Sequence, residues 1–405
     1  MNKNPLKKTS IINLLKNIKI NLDSERVILK NCINRYIAED IYSKINLPPF
    51  NNSAVDGYAL HKNDIKNDNK KLILSHRIAA GDKILPLLKP GEVARIFTGA
   101  RMPINSKTVV MQENTIKKNN IIYVSKMPRY GENCRIAGED IKKDKKIFQK
   151  GKKINSSNIN LLAAVGKKHI RLKKKIKVGF YTSGNELINP SETLKNSQIN
   201  NSNLYSLDSL LRHDFIKRKY LGILKDKEES IIQSLKKNIN KYDVIITTGG
   251  ASVGEEDHLI NILKKIGKLF FWRASIKPGR PIAVGKINKT IIICLPGNPV
   301  SVHLLFGMII YPFLKSLTGS NFILPQKILA KTNFSMKKKN QRLEWIRVNI
   351  HENNNGLIVK KYPKQGSGMI SSIAFADGIL EIPEKVSFIS KGDQYYFYSF
   401  KNIFK

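Results

Sequence analysis

The chain has 405 residues and a formal net charge of +40, from 71 Lys and Arg against 31 Asp and Glu. This length predicts several domains with ample buried core, and a hydrophobic content of 41% excludes a mainly disordered chain. The N-terminal segment lacks the uninterrupted apolar run of a signal peptide. The most apolar segment, Val300–Leu314, is short for a membrane span and contains His303 and Pro312. We therefore expect a soluble cytoplasmic protein with no membrane partner.

The positive charge does not by itself indicate a nucleic-acid-binding protein. Lys is spread along the whole chain together with abundant Asn and Ile, which favours a compositional bias over a designed patch. The densest clusters, Lys142–Lys153 and Lys167–Lys177, lack the interleaved aromatic residues of a single-strand binder. We expect no nucleic-acid partner. The cysteines are far apart and show no C-x-x-C spacing, so neither a disulfide framework nor a zinc cluster is favoured.

The first part of the chain predicts helices followed by a β domain. Residues 10–40 show helical spacing of apolar residues, which predicts one or two amphipathic helices. Pro48 and Pro49 then end regular structure. Residues 54–141 alternate short β-like runs with Gly, Pro and Asn turns, which predicts a small, mostly antiparallel β domain. Residues 142–175 are Lys-rich and loosely helical, and we expect them to return to the N-terminal helices, so that the β domain is an insertion.

Two residues of the β domain could take part in chemistry. Asp56 lies in a tight loop before Gly57, and Thr98 follows a strand-like run. Each also has an ordinary structural interpretation: Asp56 as a turn residue bonded to its own backbone, and Thr98 as a strand-end cap.

Residues 176–325 predict an α/β domain with a ligand site at one sheet edge. Short apolar strands at Val178–Tyr181, Val244–Ile246 and Ile291–Leu295 each run into a polar loop and then a helix. In an open parallel sheet, ligands bind beyond the carboxyl ends of the strands, where helix N-termini collect. We therefore expect these loops to form an anion or nucleotide pocket.

The loop after the middle strand, within KYDVIITTGGASVGEED (241–257), is the strongest of the three. Its small residues let a ligand approach the backbone and leave N–H groups free for an anion. Asp257 closes a run of three acids before the next helix, where complementing the helix dipole is the alternative interpretation. In the loop after the third strand, Asn298 suits an N-cap and Pro299 the first helical position.

Other candidate groups lie around these loops. Lys277 and Arg280 flank a Pro-Gly turn and could grip an oxyanion, although a solvated basic turn is the alternative. Asp226 with Glu229 forms a capping-box pattern, which explains it fully. A metal or substrate role for Asp226 remains open because it follows a possible strand at Tyr220–Leu224. Residues 326–405 are β-rich and predict a small barrel or sandwich, with Arg347 and the Gln365–Gly368 loop as functional candidates.

Together these motifs resemble the molybdopterin molybdenumtransferase (MoeA) family, which is related to the C-terminal domain of gephyrin. The resemblance covers residues 10–400 and implies an α/β multidomain protein that forms an elongated homodimer. The implied domains are an elongated N-terminal linking domain (1–50 and 142–175), an inserted β domain (51–141), a three-layer α/β molybdopterin-binding domain (176–325) and a C-terminal β-barrel-like domain (326–405). The motifs, in chain order, are NNSAVDGYA, RIFTGARMP, TSGNEL, TTGGASVGEED, IKPGRP and LPGNPVS.

The resemblance also implies an activity and its residues. The family inserts molybdenum from molybdate into adenylylated molybdopterin and releases AMP, supported by Mg²⁺, in a cleft that includes a domain of the partner subunit. Contact with the molybdopterin adenylyltransferase is a further possible partner interaction. By resemblance, the catalytic residues are Asp56, Thr98, Glu186, Asp226 and Asp257, of which Glu186, Asp226 and Asp257 are the metal-ligand candidates. The substrate-binding residues are Gly249, Gly250, Ser252, Lys277, Arg280, Pro296, Gly297, Asn298, Pro299, Arg347 and Ser367.

Three positions depart from the family pattern: Val55 where Met is common, Asn185 where Asp is common, and Arg280 where Lys is common. Asn185 removes a negative charge from its loop, whereas Arg280 keeps its positive charge. Two alternatives to the metal-inserting enzyme remain. One is a molybdopterin adenylyltransferase, which needs only the α/β domain. The other is a non-catalytic gephyrin-like scaffold, against which the intact acids speak.

Overall fold

A computed structural model describes residues 4–249, 258–353 and 356–404 of the chain. Helix α1 (Lys8–Asn17) buries Ile11 and Leu15 on one face, and the strands β1 (Ser24–Ile28) and β2 (Ile41–Tyr42) follow. Of the one or two helices predicted within residues 10–40, one is therefore confirmed, and the apolar spacing that follows it does not form a second α-helix. β1 contains β-branched residues and pairs along its whole length with residues 169–173, so that tertiary pairing outweighs the helical spacing of its apolar residues.

The next segment forms a mainly antiparallel sheet, as the sequence predicts. The strand order is β7-β4-β6-β5-β9-β8, and the pair β5–β6 is parallel. Apolar clusters cover the sheet, one around Ala59 and Val109 and another around Leu60 and Val110, because neighbouring residues of a strand point to opposite faces. The elements are β3 (Asn52–Ser53), β4 (Gly57–His61), α2 (Lys62–Lys66), β5 (Lys71–Ile78), β6 (Glu92–Ile96), β7 (Ser106–Met111), β8 (Thr115–Lys118), β9 (Ile121–Val124) and β10 (Cys134–Arg135).

The chain then returns to the N-terminal region. β11 (Lys146–Phe148) pairs with β2, and β12 (His169–Lys173) pairs with β1. Between them lies α3 (Ser156–Ala164), which begins with a reciprocal capping box between Asn155 and Asn158. The predicted helical segment is thus confirmed, and the β sheet lies between two halves of chain that pair with each other. The exact bounds of the four domains stay a prediction.

A three-layer α/β unit follows. Its sheet has the order β16-β13-β17-β21-β20-β18, in which β16, β13, β17 and β21 are mutually parallel. One face packs Phe180 and Ile246 against α4, α7 and α8, and the other packs Tyr181 and Ile245 against α5 and α6. The elements are β13 (Ile176–Ser183), β14 (Leu187–Ile188), β15 (Ile199–Asn200), α4 (Ser202–Leu210), β16 (Ile216–Leu224), α5 (Glu228–Asn238), β17 (Val244–Thr248), α6 (His258–Ile266), β18 (Lys268–Trp272), β19 (Ile276–Lys277), β20 (Ala283–Ile287), β21 (Thr290–Leu295), α7 (Pro299–Leu305) and α8 (Tyr311–Leu317).

Helices α7 and α8 are continuous through a π-helical turn at Phe306–Ile310. The combined 19-residue helix, Pro299–Leu317, is long and apolar enough to cross a membrane, but 89% of its most apolar window is buried inside the protein. Such burial is typical of the core helix of a folded domain.

The C-terminal strands close into a barrel, which decides between the barrel and the sandwich that the sequence left open. The order is β19-β24-β25-β22-β28-β26, and β26 pairs back to β24. β19 belongs to the α/β unit by sequence, so this pairing joins the two units. The elements are β22 (Ile328–Thr332), β23 (Met336–Lys337), β24 (Leu343–Asn353), β25 (Gly356–Lys361), α9 (Ser371–Ala374), β26 (Gly378–Ile382), β27 (Phe388–Ile389), β28 (Gln394–Ser399) and α10 (Phe400–Ile403).

A buried ion pair ties the first helix to this barrel. Lys8 is 7% exposed, and its Nζ lies 2.6 Å from Oε1 and 2.5 Å from Oε2 of Glu381. The same carboxylate accepts a hydrogen bond from Trp345 Nε1 at 2.9 Å. We expect Lys8→Ala to lower the free energy of unfolding by about 3 kcal/mol, because it leaves a buried carboxylate without its cation. Urea denaturation measures this loss.

Lys7→Ala is the matched control, because Lys7 is exposed. It is expected to change the free energy of unfolding by less than about 0.5 kcal/mol. Equal effects of the two substitutions would contradict a stabilising role for the Lys8–Glu381 pair.

Candidate active site

The carboxyl ends of the parallel strands meet at one edge of the sheet, as the sequence predicts. Ser183, the last residue of β13, donates its hydroxyl hydrogen bond to Asp226 Oδ1 at 3.0 Å, just beyond the end of β16. Gly249 follows β17, and its N–H donates to the carbonyl of Leu295, the last residue of β21, at 3.1 Å. The loops from all four strands are therefore in contact.

Gly249 is at the centre of these contacts. Its φ of +85° is in the left-handed region, and a Cβ built there would lie 2.7 Å from the carbonyl oxygen of Ser183. A Cβ on Gly297 would lie 3.7 Å from the Cα of Gly249. The approach that requires glycine is therefore that of Gly249 to the Ser183 carbonyl, whereas a Cβ on Gly297 would make an ordinary contact with Gly249. Gly250, Ser252 and Asp257 lie outside the described residues.

The Pro296–Pro299 turn takes the predicted form at the start of α7. Pro296 is buried, Gly297 and Asn298 are exposed, and Pro299 is the first helical residue. Asn298 occupies the N-cap position, but its side chain makes no capping hydrogen bond. Asn203 of α4, which the sequence did not single out, fixes the turn by donating from Nδ2 to the carbonyl of Gly297 at 2.7 Å.

The C-terminal barrel brings a loop to the same helix end. The backbone N–H of Val300, in the first turn of α7, donates to the carbonyl oxygen of Ser367 at 3.2 Å. Ser367 therefore reaches the site through the backbone of the Gln365–Gly368 loop. This contact joins residues far apart in the chain, and no local pattern in the sequence predicts it.

Arg347 supports that loop through its buried side chain, and its predicted contact with an oxyanion stays a prediction. Its side chain is buried, and its guanidinium donates to the carbonyls of Gln365, Gly366 and Trp345 and to Ser372 Oγ. Burial lowers the pKa of Arg347 to about 10. Because its donors are used inside the protein, Arg347 is a positioning residue for the loop.

Lys277 is held at the junction of the α/β unit and the barrel. Its Nζ lies 2.8 Å from Oε1 of Glu344, the residue beside it on β24. Glu344 is buried and also accepts from Asn340 Nδ2 at 3.2 Å, so it fixes the ammonium group while leaving Lys277 partly exposed. A Cβ on Gly279 would lie 2.8 Å from Leu305 Cγ, which shows that the turn after Lys277 packs against α7.

Arg280 adds a second exposed cation to this turn. Its charge also acts on Arg342, whose pKa is lowered first by burial and then by the positive charge of Arg280. Arg342 comes directly before β24, and the sequence did not single it out. The turn and the start of β24 thus form a positively charged surface.

The two described metal-ligand candidates lie in adjacent loops. Asp226 is not a helix cap, because the N-cap of α5 is Lys227 and the Asp226 carboxylate accepts from Ser183 instead. Glu186 is exposed, and its carboxylate oxygens lie over Gly184, 2.5 and 2.6 Å from where a Cβ would be. Among the described residues, no three His, Cys, Asp or Glu side chains cluster closely enough to hold a metal ion. The three-carboxylate metal site stays a prediction, because Asp257 lies outside them.

Asp56 and Thr98 meet each other in the β domain. Both the backbone N–H and the hydroxyl of Thr98 donate to Asp56 Oδ1, at 2.8 and 2.7 Å. These two hydrogen bonds, the backbone one first, lower the pKa of Asp56. Within the described part of the chain, no hydrogen bond joins this pair to the α/β sheet. Within one chain, the predicted site residues thus form two separate groups, one at the edge of the α/β sheet and one in the β domain.

Several buried polar atoms at the edge of the α/β sheet have no hydrogen-bond partner among the described residues. These atoms are Thr247 Oγ1, Thr248 Oγ1 and Asn203 Oδ1. Unsatisfied buried polar atoms are costly and are more common at functional sites than in cores. This edge therefore combines polar atoms, close backbone approach, a helix N-terminus and nearby cations, an arrangement suited to a phosphate-bearing ligand.

Comparison with known proteins agrees with this arrangement. Residues 7–166 match the MoeA N-terminal region (domain I and II), residues 179–316 a probable molybdopterin binding domain, and residues 330–400 the MoeA C-terminal region (domain IV). The chain is 31% identical to a molybdopterin molybdenumtransferase of Haemophilus influenzae over 94% of this chain and 95% of that protein. A relative of the same name from Nostoc sp. is 29% identical over 94% and 90%. A solved MoeA structure from Pyrococcus horikoshii gives a TM-score of 0.84 at 28% identity, covering 98% and 99% of the two chains.

The contacts of Gly249 predict its response to substitution. Gly249→Ala is expected to lower the free energy of unfolding by about 1–3 kcal/mol, because alanine disfavours the left-handed backbone and its Cβ would clash with the Ser183 carbonyl. Chemical denaturation of the purified variant measures this effect.

Gly297→Ala serves as the control in the facing loop. Its Cβ would make an ordinary contact, so the expected loss is below about 1 kcal/mol. If Gly249→Ala were as stable as Gly297→Ala, the close contact between the loops would be refuted.

Proposed function

Because the chain belongs to the molybdopterin molybdenumtransferase (MoeA) family, we propose that the sheet edge binds adenylylated molybdopterin and molybdate, inserts the metal into the pterin dithiolene and releases AMP. The chain is a transferase of molybdenum cofactor biosynthesis. The observation that carries the proposal is the meeting of the Ser183, Gly249 and Gly297 loops beside α7, with Lys277 and Arg280 on the adjoining turn.

The phosphate groups of the substrate fit the N-terminal end of α7. This helix continues to Leu317, so its first turn presents the positive end of a long peptide dipole. Gly249 and Gly297 keep the backbone there free of side chains, which lets a pyrophosphate approach the N–H groups. The Thr248 hydroxyl at the end of β17 is a further donor for the same ligand.

The oxyanion fits the cations at the domain junction. Lys277 has donors beyond the one that contacts Glu344, and Glu344 holds the ammonium group in place. The planar guanidinium of Arg280 can make two parallel hydrogen bonds to a tetrahedral oxyanion. The same positive charge offsets the negative charge that develops on AMP as the phosphoanhydride bond breaks.

Mg²⁺ fits the carboxylates that face this edge. Asp226 and Glu186 supply hard oxygen ligands of the kind that Mg²⁺ prefers, and Asp257 is the third candidate by its motif. When bound, the ion would neutralise phosphate charge during cleavage. Ser183 donates to Asp226, which keeps that carboxylate oriented toward the loops from the neighbouring strands.

A homodimer would bring Asp56 and Thr98 to the substrate. The pair is preorganised by two hydrogen bonds, yet hydrogen bonds in the described part of one chain leave it in the β domain. A partner subunit could supply the pair to the α/β site of the other chain, since in a symmetric dimer each chain presents the same surface to its partner. We further propose that the dimer acts in the cytoplasm and receives its pterin from the adenylyltransferase.

An AMP-release assay separates this function from the two alternatives. The metal-inserting enzyme releases AMP from adenylylated molybdopterin only when molybdate and Mg²⁺ are both added. Adenylylation of molybdopterin from ATP would instead support the adenylyltransferase, and the absence of both reactions would support a scaffold.

Two substitutions test the site residues. Asp257→Ala and Lys277→Ala are each expected to reduce AMP release by roughly 100-fold or more, because each removes a charged group that acts on the reacting phosphates. Steady-state kinetics measure the change, and circular dichroism checks the fold. Lys289→Ala, in an exposed turn, is the control and should keep wild-type turnover. Wild-type rates in both site variants would remove these residues from the mechanism.

Mixing subunits tests the shared site. Asp56→Ala and Lys277→Ala chains are each expected to be inactive alone. Refolded together in equal amounts, they should recover about one quarter of wild-type AMP release, because half of the dimers are mixed and one of their two sites is intact. If each site used Asp56 and Lys277 of the same chain, the mixture would stay inactive.

A further inference from the structure

A second polar cavity lies at the far end of the long core helix. Its volume is about 780 Å³, and it is bounded by residues 149–153, the end of α8 and residues 319–326. Four lysines line it: Lys150, Lys152, Lys153 and Lys315. Among its described lining residues there is no Asp or Glu.

This cavity is distinct from the proposed active site. The site lies at Pro299, where the helix begins, whereas Lys315 lies in the last turn of the helix, which ends at Leu317. The helix rises about 1.5 Å per residue, so the two positions are separated by roughly 24 Å. A ligand in the cavity would therefore not contact the residues assigned to catalysis.

The nearest carboxylates are engaged elsewhere. Asp40 accepts from the backbone N–H of Lys150 at 2.8 Å and pairs with Lys146 at 2.6 Å. Asp214 accepts from Asn34 Nδ2 at 2.9 Å. In the described part of the chain, none of the four cavity lysines lies within 4.0 Å of a carboxylate oxygen.

The positive charges also act on one another. Burial lowers the pKa of Lys153. The negative charge of Asp214 raises it, but this effect is smaller than that of burial. Burial and then the charge of Lys153 lower the pKa of Lys315. The neighbouring His213 has a pKa lowered to about 4, by burial and then by Lys153. Cations held together in a partly desolvated space repel one another unless an anion is bound between them.

A structural role at the helix end does not explain this cluster. A lysine in the last turn of a helix can complement the dipole. However, the carbonyl of Lys315 already accepts from the backbone N–H and hydroxyl of Thr318 and from Ser320 Oγ. These bonds satisfy that carbonyl, and the dipole does not account for Lys150, Lys152 or Lys153. Ring contacts hold two of the lysines in place, because Lys315 Nζ lies 4.8 Å from the Tyr311 ring centroid and Lys152 Nζ lies 5.8 Å from that of Phe148, but they do not neutralise the charges.

We propose that this cavity binds a small phosphorylated compound, with its phosphate between Lys153 and Lys315. Tyr36 and Tyr311 form part of the wall, and their rings can contact an organic portion. Gln149 and Asn402 supply neutral donors at the rim. The volume lies within the usual range of small-molecule sites.

Isothermal titration tests the proposal with inorganic phosphate, AMP and glucose 6-phosphate at matched ionic strength. The protein is the full chain carrying Lys277→Gln and Arg280→Gln, so that the proposed active site does not contribute to binding. Phosphate is expected to bind this protein. Adding Lys153→Gln and Lys315→Gln should weaken its binding by roughly 100-fold, since each of the two charge-assisted hydrogen bonds contributes about tenfold in affinity.

The three probes identify the source of the phosphate group. Equal affinities indicate a site for free phosphate, whereas tighter binding of AMP or glucose 6-phosphate indicates an organic phosphate. The control pair is Lys385→Gln with Lys391→Gln, two exposed lysines of the barrel, which should leave the affinity unchanged. No binding of any probe, or equal affinity in the cavity and control variants, would overturn the proposal.

Thermal unfolding without phosphate distinguishes a ligand site from a structural cluster. Removing two mutually repelling cations should leave the melting temperature unchanged or raise it. Lys153→Glu should stay folded, because it creates an ion pair with Lys315, and it should lose phosphate binding. A melting temperature that falls by several degrees in both variants would show that the lysines support the fold, and the proposal would be wrong.

Discussion

The parallel pairing of β13, β16, β17 and β21 is the constraint on which the site depends. Because these strands run in one direction, each delivers its following loop to the same edge of the sheet. β13, β17 and β21 are buried on both faces, so their register cannot shift without exposing apolar residues. The loops can therefore be polar, glycine-rich and poorly satisfied in hydrogen bonding, because the strands beneath them supply the stability.

The barrel completes this edge through backbone contacts. β19 leaves the α/β unit and pairs with β24, which places Lys277 beside Glu344. The carbonyl of Ser367 accepts from the first turn of α7, and buried Arg347 holds the loop that carries it. Cations and loop are thus positioned by the barrel, a domain other than the one that contains the sheet of the candidate site. A displacement of the barrel would move both together, so the relative placement of the two domains sets the shape of the site.

Local patterns in the sequence predicted the strands, the loops and the Asn298–Pro299 helix start, because each depends on neighbouring residues. They failed where long-range contacts decide. Residues 24–28 carry helical spacing but pair as a strand with residues 169–173. Asp226 matches a capping box, yet its carboxylate accepts from Ser183 on an adjacent strand. Arg347 was a candidate through family resemblance, and the hydrogen bonds that its buried side chain donates to loop carbonyls could not be predicted from neighbouring residues. Asn203 and Arg342 had no signal, since only the fold places them near the site.

The net charge of +40 does not show what any one lysine does, because the role of each lysine depends on the groups around it. Lys8 is neutralised by buried Glu381 and serves stability, and Lys277 is fixed by Glu344 while staying partly exposed, which suits binding. Among the described residues, no carboxylate oxygen lies within 4.0 Å of the Lys153 or Lys315 ammonium group, and burial lowers the pKa of both. Lys289, in an exposed turn, is simply solvated. Composition cannot separate these cases, because all five residues are lysines in a lysine-rich chain. The placement of a few carboxylates separates them, and the lysines that lack a carboxylate beside them are the ones for which we propose an anionic ligand.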